Sequence, residues 1–173
     1  MSFRLITLPL TPRQRTLAVL GATLLVLLAA LWSINRNERI LSNGTELLAE
    51  LAPVDPRSMM QGDYMALAFA LDLTLPQDAS DYKYVWLTRD QHNVAQFHSV
   101  SNRLPDTTGI IAVVLRQRDG MFSIGPNAFF FAEGTGHIYE QARYGEFRVD
   151  NNGNALLKQL RDDKLQPIRA ATP

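Results

Sequence analysis

Apolar residues follow two different patterns along the chain. From Thr16 to Asn35 there are 20 consecutive uncharged residues, and at about 1.5 Å per residue they form a helix of about 30 Å, the thickness of the hydrocarbon layer of a bilayer. This pattern is typical of a transmembrane helix, with Trp32 as an interfacial anchor. From Met65 to Leu73 every second residue is large and apolar, which predicts a half-buried strand.

Further apolar segments predict a mainly β (α+β) domain, with an antiparallel sheet or a sandwich-like or barrel-like arrangement and one or two short helices, preceded by one N-terminal transmembrane helix. The other predicted strands are Thr45–Ala52, Tyr82–Arg89, Val94–Ser101, Ile110–Arg118, Phe122–Ile124, Ala128–Phe131 and Glu146–Val149. Turn-forming residues at Asp90–Asn93 and Arg118–Gly120 predict hairpin connections, and those at Asp150–Gly153 predict a turn that leads out of the strand Glu146–Val149.

Two segments have different signals. Gly136–Tyr144 predicts a short helix, because Ile138, Tyr139 and Ala142 cluster at helical spacing. For Ala155–Leu160 we favour a strand followed by a turn at Arg161–Lys164, with a terminal helix as the alternative.

The charges around the apolar stretch predict its orientation and the domain boundaries. Residues 1–15 form a basic tail, 16–35 the transmembrane helix, 36–44 a polar neck and 45–173 the folded domain. Because Arg13 and Arg15 precede the span, the positive-inside rule predicts a cytoplasmic N-terminus and an extracytoplasmic domain. A cleavable signal peptide is the alternative, but the stretch is long and leucines occupy the small-residue positions of candidate cleavage sites.

Composition excludes several classes of function. Residues 36–173 carry 14 basic and 17 acidic side chains, a net charge of −3 that does not suit nucleic acid binding. The chain contains no cysteine, which excludes disulfides, thiolate metal sites, a cysteine nucleophile and a lipidated cysteine. The bilayer is therefore the first expected partner, through residues 16–35, and we expect no nucleic acid partner and no cofactor.

A recognisable signature follows the predicted corner at Pro53–Arg57. The stretch PVDPRSMMQGDYMALAF resembles the GDYXXLXY family of bacterial membrane-anchored proteins, with phenylalanine in place of the final tyrosine. The later AEGTG and RYGEF segments are also similar to this family. The residues that carry the resemblance or stand beside it as a candidate cluster are Asp55, Arg57, Gly62, Asp63, Tyr64, Leu67, Phe69, Glu133, Tyr144 and Gly145.

The resemblance implies a place in the bacterial inner membrane, a periplasmic domain and a multi-spanning membrane protein as partner, but no established activity. Without the family, Gly62 and Asp63 are typical of a turn that holds the following strand in register. Arg57 has the chemistry to pair with Asp55, Asp63 or Glu133. We favour a structural corner over a functional site for this cluster.

Two further patterns resemble sites of known chemistry. Ser58-Met59 before Gly62-Asp63 resembles the serine box of signal-peptidase-like enzymes, but its spacing is shorter and the intervening proline is missing. Only Lys83, Lys158 and Lys164 could serve as the base. Glu133, His137 and Glu140 are spaced for one helical face and for metal binding, but Gly134 and Gly136 interrupt the helix. We therefore assign no catalytic residue and no metal site.

The leading hypothesis is a membrane-tethered extracytoplasmic interaction or accessory module, more consistent with a binding protein than with an enzyme. Tethering raises the effective concentration of a domain for a neighbouring membrane partner. The alternative is a membrane-proximal hydrolase or ligand-binding enzyme that uses Asp55, Arg57, Asp63 and Glu133. A cleft that gathers these four side chains would favour the enzyme.

Overall fold

A computed structural model describes residues 11–52, 64–76, 79–118 and 121–169. Contacts within the chain divide it into two compact units, residues 1–38 and residues 39–173. Ser58 and the predicted corner at Pro53–Arg57 lie outside the described residues.

The long N-terminal helix α1 (Pro12–Asn43) contains the predicted apolar span. Its large apolar side chains from Leu17 to Ile34 are between 55% and 69% exposed, so they do not pack into the core formed by the described residues. The helix is long and apolar enough to cross a membrane. It also continues beyond Asn35, so residues 36–43 of the predicted neck are helical.

Gly44 ends this helix within the second unit. Its N–H donates to the carbonyl oxygen of Ile40 at 2.8 Å, and Ile40 itself is buried. A β carbon on Gly44 would overlap the Ile40 carbonyl oxygen and lie 3.0 Å from the backbone nitrogen of Val149. Glycine therefore lets the chain turn from the helix into the first strand in a space that no side chain fits.

Ten strands, one further α-helix and two 3₁₀ helices follow among the described residues. The strands are β1 (Thr45–Glu50), β2 (Tyr64–Ala66), β3 (Tyr84–Arg89), β4 (Ala95–Ser101), β5 (Ile111–Val114), β6 (Arg116–Arg118), β7 (Met121–Ser123), β8 (Ala128–Phe130), β9 (Tyr144–Val149) and β10 (Ala155–Arg161). The helix α2 spans Gly136–Tyr139, and the 3₁₀ helices span Ala70–Thr74 and Ala79–Asp81.

The strands pair antiparallel in four sheets, as the predicted fold class requires. Two sheets have three strands, in the orders β1-β9-β10 and β4-β3-β5, and two have two strands, β2-β8 and β6-β7. A parallel bridge between Leu48 and Val94 joins the two larger sheets. The predicted hairpin at Asp90–Asn93 connects β3 to β4, and the predicted turn at Asp150–Gly153 connects β9 to β10.

One apolar core lies on the inner side of these sheets. Phe69 and Phe147 pack edge to face at its centre, with ring centroids 5.3 Å apart, a favoured arrangement for aromatic pairs. Leu47, Met65 and Leu87 are also fully buried there. Gly125 lies beside the two rings, because a β carbon at this position would come within 2.6 Å of Phe147 and 2.8 Å of Phe69.

The predicted strand from Met65 to Leu73 is wrong beyond its first residues. Only Tyr64–Ala66 form a strand, and the chain turns into the 3₁₀ helix Ala70–Thr74. The helix is fixed by a bond from the Asp72 N–H to the Phe69 carbonyl oxygen at 3.0 Å. Leu71 still points into the core while Leu73 is 79% exposed, so the alternation of burial survives the change of structure until Leu73.

Two further predicted elements have different bounds in the structure, and one open alternative is decided. Ile110–Arg118 is divided into β5 and β6, and the helix predicted over Gly136–Tyr144 ends at Tyr139. Ala155–Leu160 lies in β10, so the strand is confirmed and the terminal helix is wrong. The turn after it is held by Asp162, whose carboxylate accepts bonds from the N–H groups of Lys164 and Gln166 at 2.9 and 2.8 Å.

Candidate functional site

The structure describes the second half of the signature but not the first. Asp55, Arg57, Gly62 and Asp63 lie outside the described residues. Tyr64 is the first residue of β2 and is 36% exposed. The pairing of Arg57 with Asp55, Asp63 or Glu133 stays a prediction.

Leu67 and Phe69 belong to the core rather than to a surface site. Leu67 is 7% exposed and Phe69 is completely buried. At the phenylalanine position a tyrosine hydroxyl would need a partner inside the core, because an unbonded buried hydroxyl costs free energy. Phenylalanine makes no such demand, which explains why this sequence tolerates the departure from the signature.

Gly145 of the RYGEF segment adjoins the end of the signature. A β carbon there would lie 3.1 Å from Leu157, 3.2 Å from Phe69 and 3.3 Å from Phe147. The missing side chain therefore leaves room for the Phe69 ring, and the signature packs here against a segment that is far away in sequence. Tyr144, the residue before it, is half-buried on the opposite face of β9. Gly145 therefore has a structural role in this arrangement.

Glu133, His137 and Glu140 do not lie on one helix. The helix α2 begins at Gly136, after Glu133, and ends at Tyr139, so Glu140 only caps it. All three side chains are exposed. Within the described residues, no group of three or more histidine, cysteine, aspartate or glutamate side chains is arranged to hold a metal ion.

The most extensive charged constellation among the described residues was not predicted. It consists of Glu46 on β1, Glu146 and Arg148 on β9, and Arg161 on β10, and we call these four residues the charge quartet. They lie on the face of the β1-β9-β10 sheet that points away from Leu47 and Phe147. The register places Glu46 opposite Arg148 on the neighbouring strand.

Each arginine of the quartet bridges both glutamates. Arg148 Nη2 lies 2.9 Å from Glu46 Oε2 and 3.1 Å from Glu146 Oε1. Arg161 Nη2 lies 3.5 Å from Glu46 Oε1 and 2.8 Å from Glu146 Oε2. The four side chains thus close a ring of alternating charges that fastens three strands together.

Glu146 is the centre of this ring and its side chain is completely buried. Gln159 donates its amide N–H to Glu146 Oε2, and Lys158 Nζ lies 3.8 Å from Oε1. Burial alone would raise the pKa of Glu146, but the bonds from Gln159 and Arg161 and the positive charges of Arg161 and Arg148 outweigh burial and lower the pKa below its ordinary value.

A β-bulge in β10 is what places Gln159 and Arg161 over Glu146. Leu157 pairs with Phe147 and Gln159 pairs with Glu146, so Lys158 is an extra residue without an opposite partner. An uninterrupted period of two from Leu157 would turn Gln159 and Arg161 into the core and Leu160 out of it. The bulge reverses this assignment, because one added residue exchanges the two faces.

This arrangement is suited to holding strands rather than to proton transfer. A carboxylate with a lowered pKa stays ionised and its oxygens are occupied by donors, so it is a poor general acid and a poor nucleophile. The sequence signal for the site is weak but real. Tyr144, Glu146 and Arg148 alternate with Gly145 and Phe147, which is the pattern of a strand with one polar face, but the partner strands cannot be identified from it.

A second carboxylate, Asp72, links the 3₁₀ helix after the signature to β7. It accepts a bond from Ser123 Oγ at 2.8 Å and one from the Ile124 N–H at 3.1 Å. Burial raises the pKa of Asp72 above its ordinary value, and these bonds offset only part of that effect. A serine bonded directly to a carboxylate lacks the intervening imidazole or amine that activates a serine nucleophile. This pair therefore stabilises the fold by joining the 3₁₀ helix to β7.

Two hollows on the described surface differ in their lining. One of about 270 Å³ is lined by Thr45, Leu104, Pro105, Ile110, Ile111, Ala112, Val149, Asp150 and Asn151. It is slightly smaller than typical ligand pockets of about 300–1,000 Å³. Its carboxylate, Asp150, already accepts bonds from the N–H groups of Asn152 and Asn154 at 2.9 and 2.8 Å. The other hollow lies beside exposed residues Arg89–His92 at a turn.

Comparison with known proteins gives one result. The family model described as GDYXXLXY protein matches residues 26–160, which include the signature, the AEGTG and RYGEF segments and all of the charge quartet except Arg161. No curated protein and no solved structure shows a significant match.

Proposed function

Since this chain belongs to the GDYXXLXY family, we propose that it is a membrane-tethered interaction or accessory module that works with a multi-spanning membrane protein. The observation that carries this proposal is the combination of one exposed apolar helix with a separate compact unit at residues 39–173. A domain held at a membrane meets membrane partners at a high effective concentration without needing a large affinity of its own.

We propose that the domain lies on the extracytoplasmic side of a bacterial inner membrane and that the N-terminus lies in the cytoplasm. Arg13 and Arg15 precede the apolar span, and after it Glu38 offsets part of the charge of Arg36 and Arg39. A reporter fused after Pro173 should be active outside the cytoplasm. Activity of the fusion only in the cytoplasm would overturn this orientation.

The internal pairing of the charges supports a binding module over a hydrolase. Glu146 is kept ionised by its arginines, and Asp72 is bonded to Ser123 and Ile124. Of the four residues in the alternative enzyme hypothesis, the structure describes Glu133 alone, and this side chain is exposed. No specific observation favours that alternative.

Co-purification from native membranes tests the proposal. The full chain with a C-terminal tag is cross-linked in intact cells, solubilised and captured, and a tagged variant that ends after Gly44 serves as the control. We expect the full chain, and not the control, to enrich one multi-spanning membrane protein. If the two captures recover the same proteins in the same amounts, the domain recognises no membrane partner and the proposal is wrong.

A further inference from the structure

The two-stranded sheet β2-β8 has an apolar face on its outer side. Tyr64 pairs with Phe130, and Ala66 pairs with Ala128. Residues directly opposite one another on antiparallel strands point to the same side of the sheet, so these four side chains share one face. We call Tyr64, Ala66, Ala128 and Phe130 the aromatic face.

The inner face of the same sheet packs against the core. Met65 pairs with Phe129 there, Met65 is 2% exposed, and Phe129 packs against Tyr139 with ring centroids 5.2 Å apart. An antiparallel sheet with one buried face normally carries polar residues on its other face. Here the other face carries no charge.

The aromatic rings of this face are open to the surroundings. Phe130 is 75% exposed and Tyr64 is 36% exposed, although their ring centroids are only 5.7 Å apart. The contact between the two rings thus leaves most of the phenylalanine surface without a partner among the described residues. Tyr64 adds a hydroxyl at the end of an apolar ring, the combination that favours a membrane interface.

We propose that the aromatic face lies against the interfacial layer of the bilayer in which the chain is anchored. The size of the face favours lipid over a protein. An aromatic side chain contributes about 150–250 Å², so the exposed parts of Tyr64 and Phe130, at 36% and 75%, together offer roughly 170–280 Å². A stable protein interface buries about 800 Å² on each partner, several times more than this face provides.

The length of α1 makes such a small contact sufficient. Beyond Asn35 only residues 36–38 precede the folded unit, which begins at Arg39, and they add about 5 Å at 1.5 Å per residue. The folded unit has a radius of gyration of about 14 Å by the usual scaling with chain length, so the tether is shorter than the domain is wide. The anchor has already brought the domain to the bilayer, and the face needs only to select one orientation.

Site-directed spin labelling of the full chain tests this proposal, because the chain contains no cysteine. Phe130→Cys places a label on the aromatic face, and Ala128→Cys provides a second label there with a smaller change of side chain. Gln96→Cys on β4 is the matched control, since Gln96 is an exposed strand residue. Each labelled chain is reconstituted in phosphatidylcholine nanodiscs, and collision rates with oxygen and with a water-soluble nickel chelate are measured.

We expect both labels on the aromatic face to collide more often with oxygen than with the nickel chelate, and the label at Gln96→Cys to show the reverse. Because the face is uncharged, the ratio should not change when salt is raised. Two results overturn the proposal: labels that are as open to the chelate as the Gln96→Cys control, and labels shielded from both reagents, which would indicate a protein cover. Neither outcome depends on whether a partner protein is found.

Discussion

The two sheets that carry the signature and the RYGEF segment share one core but differ on their outer faces. On β1-β9-β10 the outer face holds the charge quartet, in which two glutamates and two arginines satisfy one another. On β2-β8 the outer face holds Tyr64 and Phe130, which are exposed and uncharged. The charges of the quartet therefore have their counter-charges within the chain, although the buried Arg148 Nε has no hydrogen-bond partner there, whereas the aromatic face stays open.

This difference separates the residues that stabilise the fold from those available to the surroundings. A buried charge is tolerated only when its counter-charges and hydrogen-bond donors are in place. An exposed aromatic ring carries no such penalty and can be removed at little cost to the fold. Substitutions should therefore affect stability on the first sheet and contacts outside the chain on the second.

The largest expected effect is at the centre of the charge quartet. Glu146→Ala removes the buried carboxylate and leaves Arg148 and Arg161 without their central partner, so we expect the free energy of unfolding to fall by about 3–5 kcal/mol. Thermal unfolding of the full chain in detergent, followed by circular dichroism, measures the loss. Glu50→Ala is the control, because Glu50 lies on the adjacent strand β1 and is exposed.

The control should change the stability by no more than about 0.5 kcal/mol. Equal melting temperatures for Glu146→Ala and the unaltered chain would show that the quartet contributes nothing to the fold. In that case the comparison between the two sheets would lose its basis.

Within the aromatic sheet the inward and outward residues should behave differently. Met65→Ala empties a core position and should lower the free energy of unfolding by about 2–5 kcal/mol. Phe130→Ala, on the neighbouring strand but 75% exposed, should change it by about 0.5 kcal/mol or less. Chemical denaturation of the two variants side by side checks this. A large loss for Phe130→Ala would mean that the exposed ring supports the fold.

Much of the fold could be predicted from the sequence, and the signature segment shows where this stops. The predicted bounds of β3, β4, β9 and β10 agree with the observed ones to within two residues, because turn-forming residues at Asp90–Asn93 and Asp150–Gly153 separate these strands in pairs. After Ala66 the same alternation continues into a 3₁₀ helix. Burial at every second residue does not distinguish these conformations when the helix is short. The turn is fixed instead by the distant contacts of Asp72 with Ser123 and Ile124.

The charge quartet was beyond sequence reasoning for a related reason. Glu46 and Arg148 are separated by 102 positions along the chain, and their contact requires the exact register of β1 against β9. Arg161 reaches the same face only through the bulge at Lys158. The pattern of apolar residues predicts which face of a strand is buried, but it does not predict which strands are neighbours.

The pH dependence of stability should have opposite signs at the two carboxylates. The pKa of Glu146 is lowered in the fold, so its stabilisation is complete above the pKa of the unfolded chain and is lost as pH falls through the folded value. The pKa of Asp72 is raised, so its contribution is complete below the unfolded pKa and is lost as pH rises through the folded value.

Melting temperatures measured across the acidic range separate these contributions. Glu146→Gln should reduce the loss of stability on acidification, whereas Asp72→Asn should reduce the loss as pH rises. Asp72 accepts from Ser123 and Ile124 with different oxygens. Asn at position 72 keeps a carbonyl oxygen that accepts from the Ile124 N–H, and its amide N–H donates to Ser123 Oγ, so its fold should be preserved. If both variants follow the pH profile of the unaltered chain, the two carboxylates do not control its acid stability.

The smallest expected effect concerns the bulge itself. Deleting Lys158 joins Leu157 directly to Gln159, so a regular alternation then places Leu157 and Leu160 in the core and Gln159 and Arg161 over Glu146. Lys158 has no opposite partner, its side chain is 40% exposed, and it is the most distant cation at Glu146. We expect a loss of about 1 kcal/mol or less.

Deleting Leu157 instead moves Lys158 to the core position opposite Phe147, and should cost several times more because a lysine is then buried without a counter-charge. Thermal unfolding of the two deletions ranks them, and a deletion of Lys158 that is as harmful as that of Leu157 would show that the bulge is needed for the fold beyond setting which side chains face Glu146.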